Sequence, residues 1–302
     1  MPSTDLSKKG FSLNSGYTIP AIGLGTWQSK PGEVEKAVEV ALRCGYRHID
    51  TATAYGNEAE VGAGIRASGV PREEIFLTTK LHNQWHTRVS EALDQSLQKL
   101  RTNYVDLYLI HWPCATDPGD LTKVVPDWDY VQTWAEMQKL LSTKKVKSIG
   151  VSNFGIMHLE RLLHDSSCQV VPAVNQIELH PNRPSPKLVA YNTLKGIHST
   201  AYSCLGSTGS PLYKNQTLLD LAQAKGRSVQ QVLIRWGLQK GWSVIPKSVN
   251  PDRIKGNLVV DGWDLTDREM AAIDAIPQRF KVCDGSFLPP VMHDKIFYGD
   301  DE

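Results

Sequence analysis

Four polar residues are placed to do acid–base chemistry. Asp50 and Tyr55 lie in the run HIDTATAYGNE, Lys80 ends IFLTTK, and His111 ends VDLYLIH. Asp50, Lys80 and His111 each close a short apolar segment that reads as a buried strand, and Tyr55 follows five residues after Asp50. In a barrel of parallel strands the C-terminal ends form one rim, where chemistry is built. An acid, a phenol, an amine and an imidazole converging there suit proton delivery to a carbonyl oxygen. A buried Lys80 next to Tyr55 favours the phenolate and makes the phenol a better acid. Asp50 keeps that lysine charged and positioned, and His111 orients the carbonyl. Each residue also has an ordinary reading: Asp50 as a turn or cap, Lys80 as a solvated strand end, His111 as a core histidine, Tyr55 as a packing aromatic.

The elements that must position these residues are visible as an alternation. Strand-like runs fall at 21–25, 46–50, 75–80, 105–111, 147–152, 173–178, 197–202 and 243–246. Helical periodicity lies between them, at 32–43, 88–100, 130–142, 157–164 and 228–239. In 90–100, Ala92, Leu93, Leu97 and Leu100 recur at helical spacing. Repeated strand–helix alternation implies a parallel sheet, and eight units imply a closed (β/α)8 TIM barrel of the α/β class. A doubly wound open sheet is the alternative. Residues 11–19, with Asn14-Ser15-Gly16 at their centre, read as a hairpin before the barrel. The stretch 277–302, with Pro289-Pro290, is irregular and reads as a tail folded over the pocket. With no Pro/Gly-rich linker inside it, the chain 1–302 is expected to form one domain.

Bulk properties narrow the partners. The chain has 302 residues and a formal net charge of +1, which offers nothing to nucleic acid or a membrane surface. Five scattered cysteines (Cys44, Cys114, Cys168, Cys204, Cys283) without a CxxC fit free thiols in a reducing, cytoplasmic setting. The N-terminus has no apolar run, so no secretory signal is expected, and no stretch is long and apolar enough for a transmembrane helix. The sequon at Asn215-Gln216-Thr217 then carries no glycan. His82 and His86 are four apart, but the intervening residues supply no acid and the segment reads as loop, so no metal is expected. No G-x-G-x-x-G is present, and Pro246 stands where a phosphate loop around 241–248 needs its second glycine.

The motifs GLGTW (23–27), GYRHIDTATAYGNE (45–58), TTKL (78–81), LIHWP (109–113), GVSNF (150–154), NQIELHP (175–181) and IPKSVNPDRIKGN (245–257) resemble the aldo-keto reductase family over nearly the whole chain. The nearest subgroup is the fungal glycerol dehydrogenase and aldehyde reductase type. The resemblance implies a (β/α)8 barrel that binds NADP(H) without a Rossmann fold and reduces aldehydes or ketones reversibly. It also implies that Tyr55 is the general acid of a tetrad with Asp50, Lys80 and His111. By the same resemblance Ser152, Asn153 and Gln176 hold the nicotinamide carboxamide and Tyr202 stacks on its ring. Ser203, Leu205, Gly206 and Ser207 line the pyrophosphate, and Lys247, Ser248 and Arg253 clamp the 2′-phosphate, which suits a dianion. Asn257 contacts the adenine, with Gly25, Thr26, Trp27, Val249 and Asn250 completing the cofactor set. Trp27, Tyr55, His82, His111 and Trp112 are the expected substrate contacts, and Trp85, Phe297 and Tyr298 are further aromatic candidates.

The chain departs from the family pattern at a few positions. Gly256 stands where a carboxylate or amide is common, His82 where Trp is common and Cys204 where Pro is usual, while the segment after 111–113 is short. Two rival functions remain at this stage: a lyase using Lys80 as a Schiff-base nucleophile, and a cofactor-sensing subunit without turnover. The reductase reading expects a monomer acting on a small carbonyl compound, with no nucleic-acid or membrane partner.

Overall fold

The computed structural model describes residues 9–30, 32–277 and 280–290. The expected hairpin is present: β1 (Gly10–Ser12) and β2 (Thr18–Pro20) pair antiparallel. The chain then runs β3 (Leu24–Gly25), α1 (Val34–Cys44), β4 (His48–Asp50), α2 (Glu58–Ser68), β5 (Phe76–Leu81), α3 (Val89–Leu100) and β6 (Val105–Ile110). A small antiparallel hairpin, β7 (Thr116–Asp117) and β8 (Asp120–Val124), is inserted before α4 (Tyr130–Lys139). Alternation resumes with β9 (Val146–Ser152), α5 (Ile156–His164), β10 (Val174–Glu178), α6 (Pro186–Leu194) and β11 (His198–Tyr202). The remaining elements are α7 (Gln216–Lys225), α8 (Val229–Gln239), β12 (Ser243–Val244), α9 (Pro251–Asn257) and α10 (Asp267–Asp274).

Among the described residues the large sheet has the order β12-β11-β10-β9-β6-β5-β4-β3, and all its pairings are parallel. Its two ends meet. Ile22 and Gly25 form parallel bridges to Val244 and Lys247, and Gly23 N–H and Ala21 C=O bond to the two backbone groups of Val244 at 2.9 Å each. The sheet is therefore a closed barrel, and the open doubly wound alternative falls. All eight expected strands are present, several trimmed at their ends.

Burial explains the strand composition. Every residue of β5 and of β6 is buried. Strands covered on both faces carry near-continuous apolar runs rather than alternation. The hairpin plugs the N-terminal end of the barrel: Leu13 and Ile19 pack with Phe76, Leu107, Leu109, Ala173 and Val174, and Phe11 stacks on His198 at 4.8 Å. Around the outside α1 buries one stripe, Val34, Ala37, Val38, Ala41 and Leu42, whereas α8 is buried almost all round from Val232 to Leu238.

At the closing seam a Cβ on Gly25 would lie 2.8 Å from Ile245 C=O, so only glycine lets the first and last strands approach. Asn215 serves as the N-cap of α7, accepting from Leu218 N–H. All five cysteines are free thiols. Among the described residues no helix is long and apolar enough to cross a membrane, and no group of three or more His, Cys, Asp or Glu is arranged to hold a metal ion. His82 precedes a single 3-10 turn (Asn83–Trp85), whereas His86 is buried against Thr133, with Nδ1 3.1 Å from its hydroxyl.

Candidate active site

A cavity of about 730 Å³ opens at the C-terminal rim of the barrel. Asp50 ends β4, and its carboxylate is buried. Lys80 lies one residue before the end of β5, and its ammonium has no solvent exposure. Lys80 Nζ donates to Asp50 Oδ1 at 2.5 Å, to Thr51 C=O at 2.9 Å and to the Tyr55 hydroxyl at 3.3 Å. Gln176, from β10 across the barrel, donates its Nε2–H to Asp50 Oδ2 at 2.7 Å. Tyr55 reaches this chain from a 3-10 turn (Thr53–Tyr55) closed by Gly56 in the left-handed region, φ 70°. His111 follows β6 directly, its ring edge-on to Tyr55 at 5.7 Å. The three residues read from strand ends and Tyr55 thus meet in one place, with Lys80 behind the phenol and the other three at the cavity surface.

The electrostatics follow from enclosure. Burial works against the Lys80 charge, but Asp50 and then Tyr55 outweigh it, so the lysine is held above its ordinary range as an ammonium. Burial also pushes the Tyr55 phenol up. Lys80 favours the phenolate, as expected from the sequence, but desolvation is the larger effect and the phenol stays above its ordinary range. Burial, reinforced by Lys80 and His82, holds His111 well below the usual imidazole range. His111 is therefore neutral at physiological pH, and its Nδ1 has no hydrogen-bond partner among the described residues.

The candidate carboxamide groups are already wired together. Ser152 Oγ donates to Gln176 C=O at 2.8 Å, and the Tyr202 hydroxyl donates to Asn153 Oδ1 at 2.7 Å. Asn153, in the left-handed region at φ 62°, donates through Nδ2 to His111 C=O at 3.0 Å and to Ser152 Oγ at 3.1 Å. These bonds fix the Tyr202 ring on the cavity wall and leave Gln176 Oε1 as an acceptor.

Farther along the cavity come Ser203, Leu205 and Ser207, then Lys247, Ser248, Arg253 and Asn257. Lys247 Nζ bonds Gln28 C=O at 3.2 Å. Burial lowers the Lys247 ammonium, Glu33 opposes that, and Arg253 adds to it. Two neighbouring cations at a cavity wall favour a multivalent anion.

Three of the residues expected to contact the cofactor do not line the cavity. Gly206 shapes the loop instead: at φ 73° a Cβ there would stand 2.2 Å from Ser210 Oγ. Val249 packs on the core. Asn250 uses its side-chain oxygen to cap α9, accepting from Asp252 and Arg253 N–H at 3.0 Å each.

At the other end Trp27 stands exposed on the cavity lip, with His82 and Trp112 on the wall beyond Tyr55. Burial holds His82 below its ordinary pKa. Trp85 is not a cavity residue; it packs partly on the core and under the Arg88 guanidinium at 4.1 Å. Phe297 and Tyr298 lie outside the described residues, as do 278–279 and the rest of 291–302. The described part of the tail does reach the cavity: Cys283 and Phe287 line it, and Phe287 meets Trp112 edge-to-face at 5.2 Å. Asn83, Thr116, Leu121, Tyr213 and Gln230 also line it and were not singled out as contacts from the sequence. The short segment after 111–113 is not bare loop, since its hairpin carries Leu121 to the cavity wall.

A closed parallel barrel with buried ionisable groups wired together at its C-terminal rim is the architecture of a barrel enzyme. The chain belongs to the aldo/keto reductase family, whose model matches residues 21–278. It is 46% identical over 296 residues, 92% of this chain and 94% of the relative, to a glycerol 2-dehydrogenase (NADP(+)) of Saccharomyces cerevisiae. It is 48% identical over 278 residues, 87% of this chain and 89% of the relative, to a D-galacturonate reductase of Hypocrea jecorina. Among solved structures, an aldo-keto reductase of Bombyx mori in complex with NADP superposes with a TM-score of 0.85 at 40% identity, covering 94% of this chain and 98% of that one.

Proposed function

We propose that this protein is an NADPH-dependent reductase of aldehydes or ketones, acting reversibly on small hydroxylated carbonyl compounds with Tyr55 as the general acid. The observation that carries it is the chain Gln176–Asp50–Lys80–Tyr55 opening on the cavity. The residues fit the cofactor: Lys247 and Arg253 offer two cations to a 2′-phosphate, Gln176 Oε1 remains to accept from a carboxamide, and Tyr202 offers a fixed ring face. When bound, NADPH supplies the hydride. Tyr55 donates its proton to the carbonyl oxygen while Lys80 stabilises the phenolate left behind, and Asp50 keeps the ammonium in place. Neutral His111 orients the carbonyl by hydrogen bonding without competing as a proton donor. Enclosure of these groups supplies the orientation and charge stabilisation that account for most of the acceleration.

The names of the fungal relatives favour a small hydroxylated ketone or a sugar-acid aldehyde as substrate. The Schiff-base reading is disfavoured, because Lys80 is a fully buried ammonium with three oxygen partners rather than a free amine. Residues 1–302 are read as one domain acting as a cytoplasmic monomer. The test is a spectrophotometric NADPH-consumption screen over aldehydes, keto acids and keto esters. Tight NADPH binding with no turnover on any of them would favour a cofactor-sensing role instead.

A further inference from the structure

Glu178 ends β10 and has no part in the chemistry above. Its carboxylate is buried, with the residue only 5% exposed. Oε1 accepts from the backbone N–H of Val282 at 2.7 Å and lies 2.9 Å from His180 Nε2; Oε2 accepts from the N–H of Cys283 at 2.8 Å. An ionised carboxylate only accepts, so His180 Nε2 carries the proton in that contact. The two consecutive N–H groups belong to a stretch, 280–290, with almost no regular structure of its own. Ordering such a stretch costs backbone entropy that local hydrogen bonds do not offset.

The same stretch touches the barrel through further contacts, among them Cys283 with Tyr202. Phe280 lies over the His180 ring at 5.1 Å, Phe287 meets Trp112 at 5.2 Å, and Leu288 is buried with Trp112 and Cys114. Between the Glu178 anchor and the Trp112 anchor, Cys283 and Phe287 form cavity wall. In strand register Glu178 stands beside Tyr202, whereas Asp50 and Lys80 come from β4 and β5 on the other side of the barrel. Moving Glu178 therefore disturbs the wall first and reaches the acid–base groups through it, where Cys283 acts on Tyr55.

We infer that Glu178 is the latch that holds the C-terminal segment across the substrate end of the cavity, and so sets which aldehydes bind well. It is a positioning residue acting through the wall that Cys283 and Phe287 supply, and the inference rests on reading this cavity as a carbonyl-reductase site. Two charge-assisted backbone bonds converge on one carboxylate, so its loss unpairs both N–H groups at once. Glutamine retains one acceptor oxygen but turns an NH2 toward the second N–H, giving a partial latch.

The test compares wild type with Glu178→Ala, Glu178→Gln and Val282→Pro, the last removing a donor without touching the barrel. Hydrogen–deuterium exchange at the amides of 282 and 283 reads the latch directly. These amides should be protected in wild type and exchange at least about tenfold faster in Glu178→Ala, with Glu178→Gln between. Steady-state kinetics should show KM for a bulky aromatic aldehyde raised about tenfold in Glu178→Ala and Val282→Pro, with kcat and the parameters for glyceraldehyde within about threefold of wild type. Should Glu178→Ala fail to fold, Val282→Pro and Glu178→Gln carry the same readouts. Unprotected 282 and 283 amides in wild type overturn the latch. An unchanged KM ratio between the two aldehydes in folded Val282→Pro and Glu178→Gln overturns its role in specificity. A wild type that oxidises no NADPH with any aldehyde sinks the functional reading instead, and exchange then decides the latch alone.

Discussion

At the scale of single residues, the site is a competition between desolvation and local charge. In the proposed mechanism Tyr55 carries the proton, and enclosure raises its pKa despite Lys80 at 3.3 Å. Replacing Tyr55 with Phe should cut turnover by about 10²- to 10⁴-fold while leaving NADPH affinity near native. Near-native turnover of that variant removes the phenol from the mechanism. Lys80 makes a separate prediction through pH. Its cation favours the phenolate, so it lowers the Tyr55 pKa against the upward push of burial. Taking the cation away in Lys80→Met therefore raises that pKa. The variant should reduce aldehydes more slowly, and the alkaline fall of kcat, where Tyr55 loses its proton, should move to higher pH. A limb that stays put or moves down would show that Lys80 does not set the acid.

Legibility at this scale tracked position along strands. Asp50, Lys80 and His111 were readable because each closes an apolar run, and a parallel barrel brings such ends together whatever lies between them. Glu178 also closes a strand-like run, one that carries Asn175 and Gln176, yet its partners lie at 282 and 283, which no local pattern connects to 178. Leu121 stayed invisible because an inserted hairpin delivers it, not barrel periodicity; the tail was expected over the pocket, but which of its residues, Cys283 and Phe287 among them, would face it was not.

At the scale of elements, the buried strands and the helices α1, α3, α4, α5 and α8 were legible, and α2, α6, α7, α9 and α10 were not. In α2, Gly62 and Gly64 discourage a helix by propensity. In the folded chain they are the contact points: a Cβ on Gly62 would stand 2.3 Å from Leu100 C=O, and one on Gly64 2.4 Å from Glu35 C=O. Tertiary packing, which no local window contains, overrides propensity there. Helix α9 is only 7 residues long and contains Gly256, so its periodicity is too short to read; its cap and N-terminal Pro251 are what start it. That helix presents Arg253 to the cavity, and two predictions test it. Arg253→Ala should weaken NADPH binding by about 10- to 150-fold, the worth of one charge-assisted contact, and NADH binding little. Equal losses for the two cofactors, measured by fluorescence quenching, would sink the clamp. Asn250→Ala removes the oxygen that caps Asp252 and Arg253 N–H, and should lower stability by about 1 kcal/mol in urea denaturation, with Asn250→Asp near wild type.

At the scale of the whole molecule, everything depends on closure of the barrel. The strands carrying Asp50 and Gln176 are not neighbours in the sheet, yet the two side chains meet at 2.7 Å because the sheet curves round on itself. The seam where it closes is narrow: β3 and β12 have two residues each, joined by a few backbone bonds and by the close pass of Gly25 under Ile245. Gly25→Ala should therefore act on the entire fold rather than on one strand. Its Cβ must displace a backbone carbonyl, and overpacking of this kind costs about 1–3 kcal/mol. If 1–302 is one cooperative unit, two probes on different helices should report that loss identically. Trp134 on α4 and Trp236 on α8 are both fully buried and serve as those probes. Single-tryptophan versions of wild type and Gly25→Ala, unfolded in urea, should give midpoints that coincide for the two sites and fall together on substitution. The control is Gly256→Ala, where the added methyl meets open space, and both midpoints should hold or rise slightly. Separate midpoints in wild type would divide the barrel into independently melting parts. A Gly25→Ala loss confined to one tryptophan would mean that the seam supports only its own side.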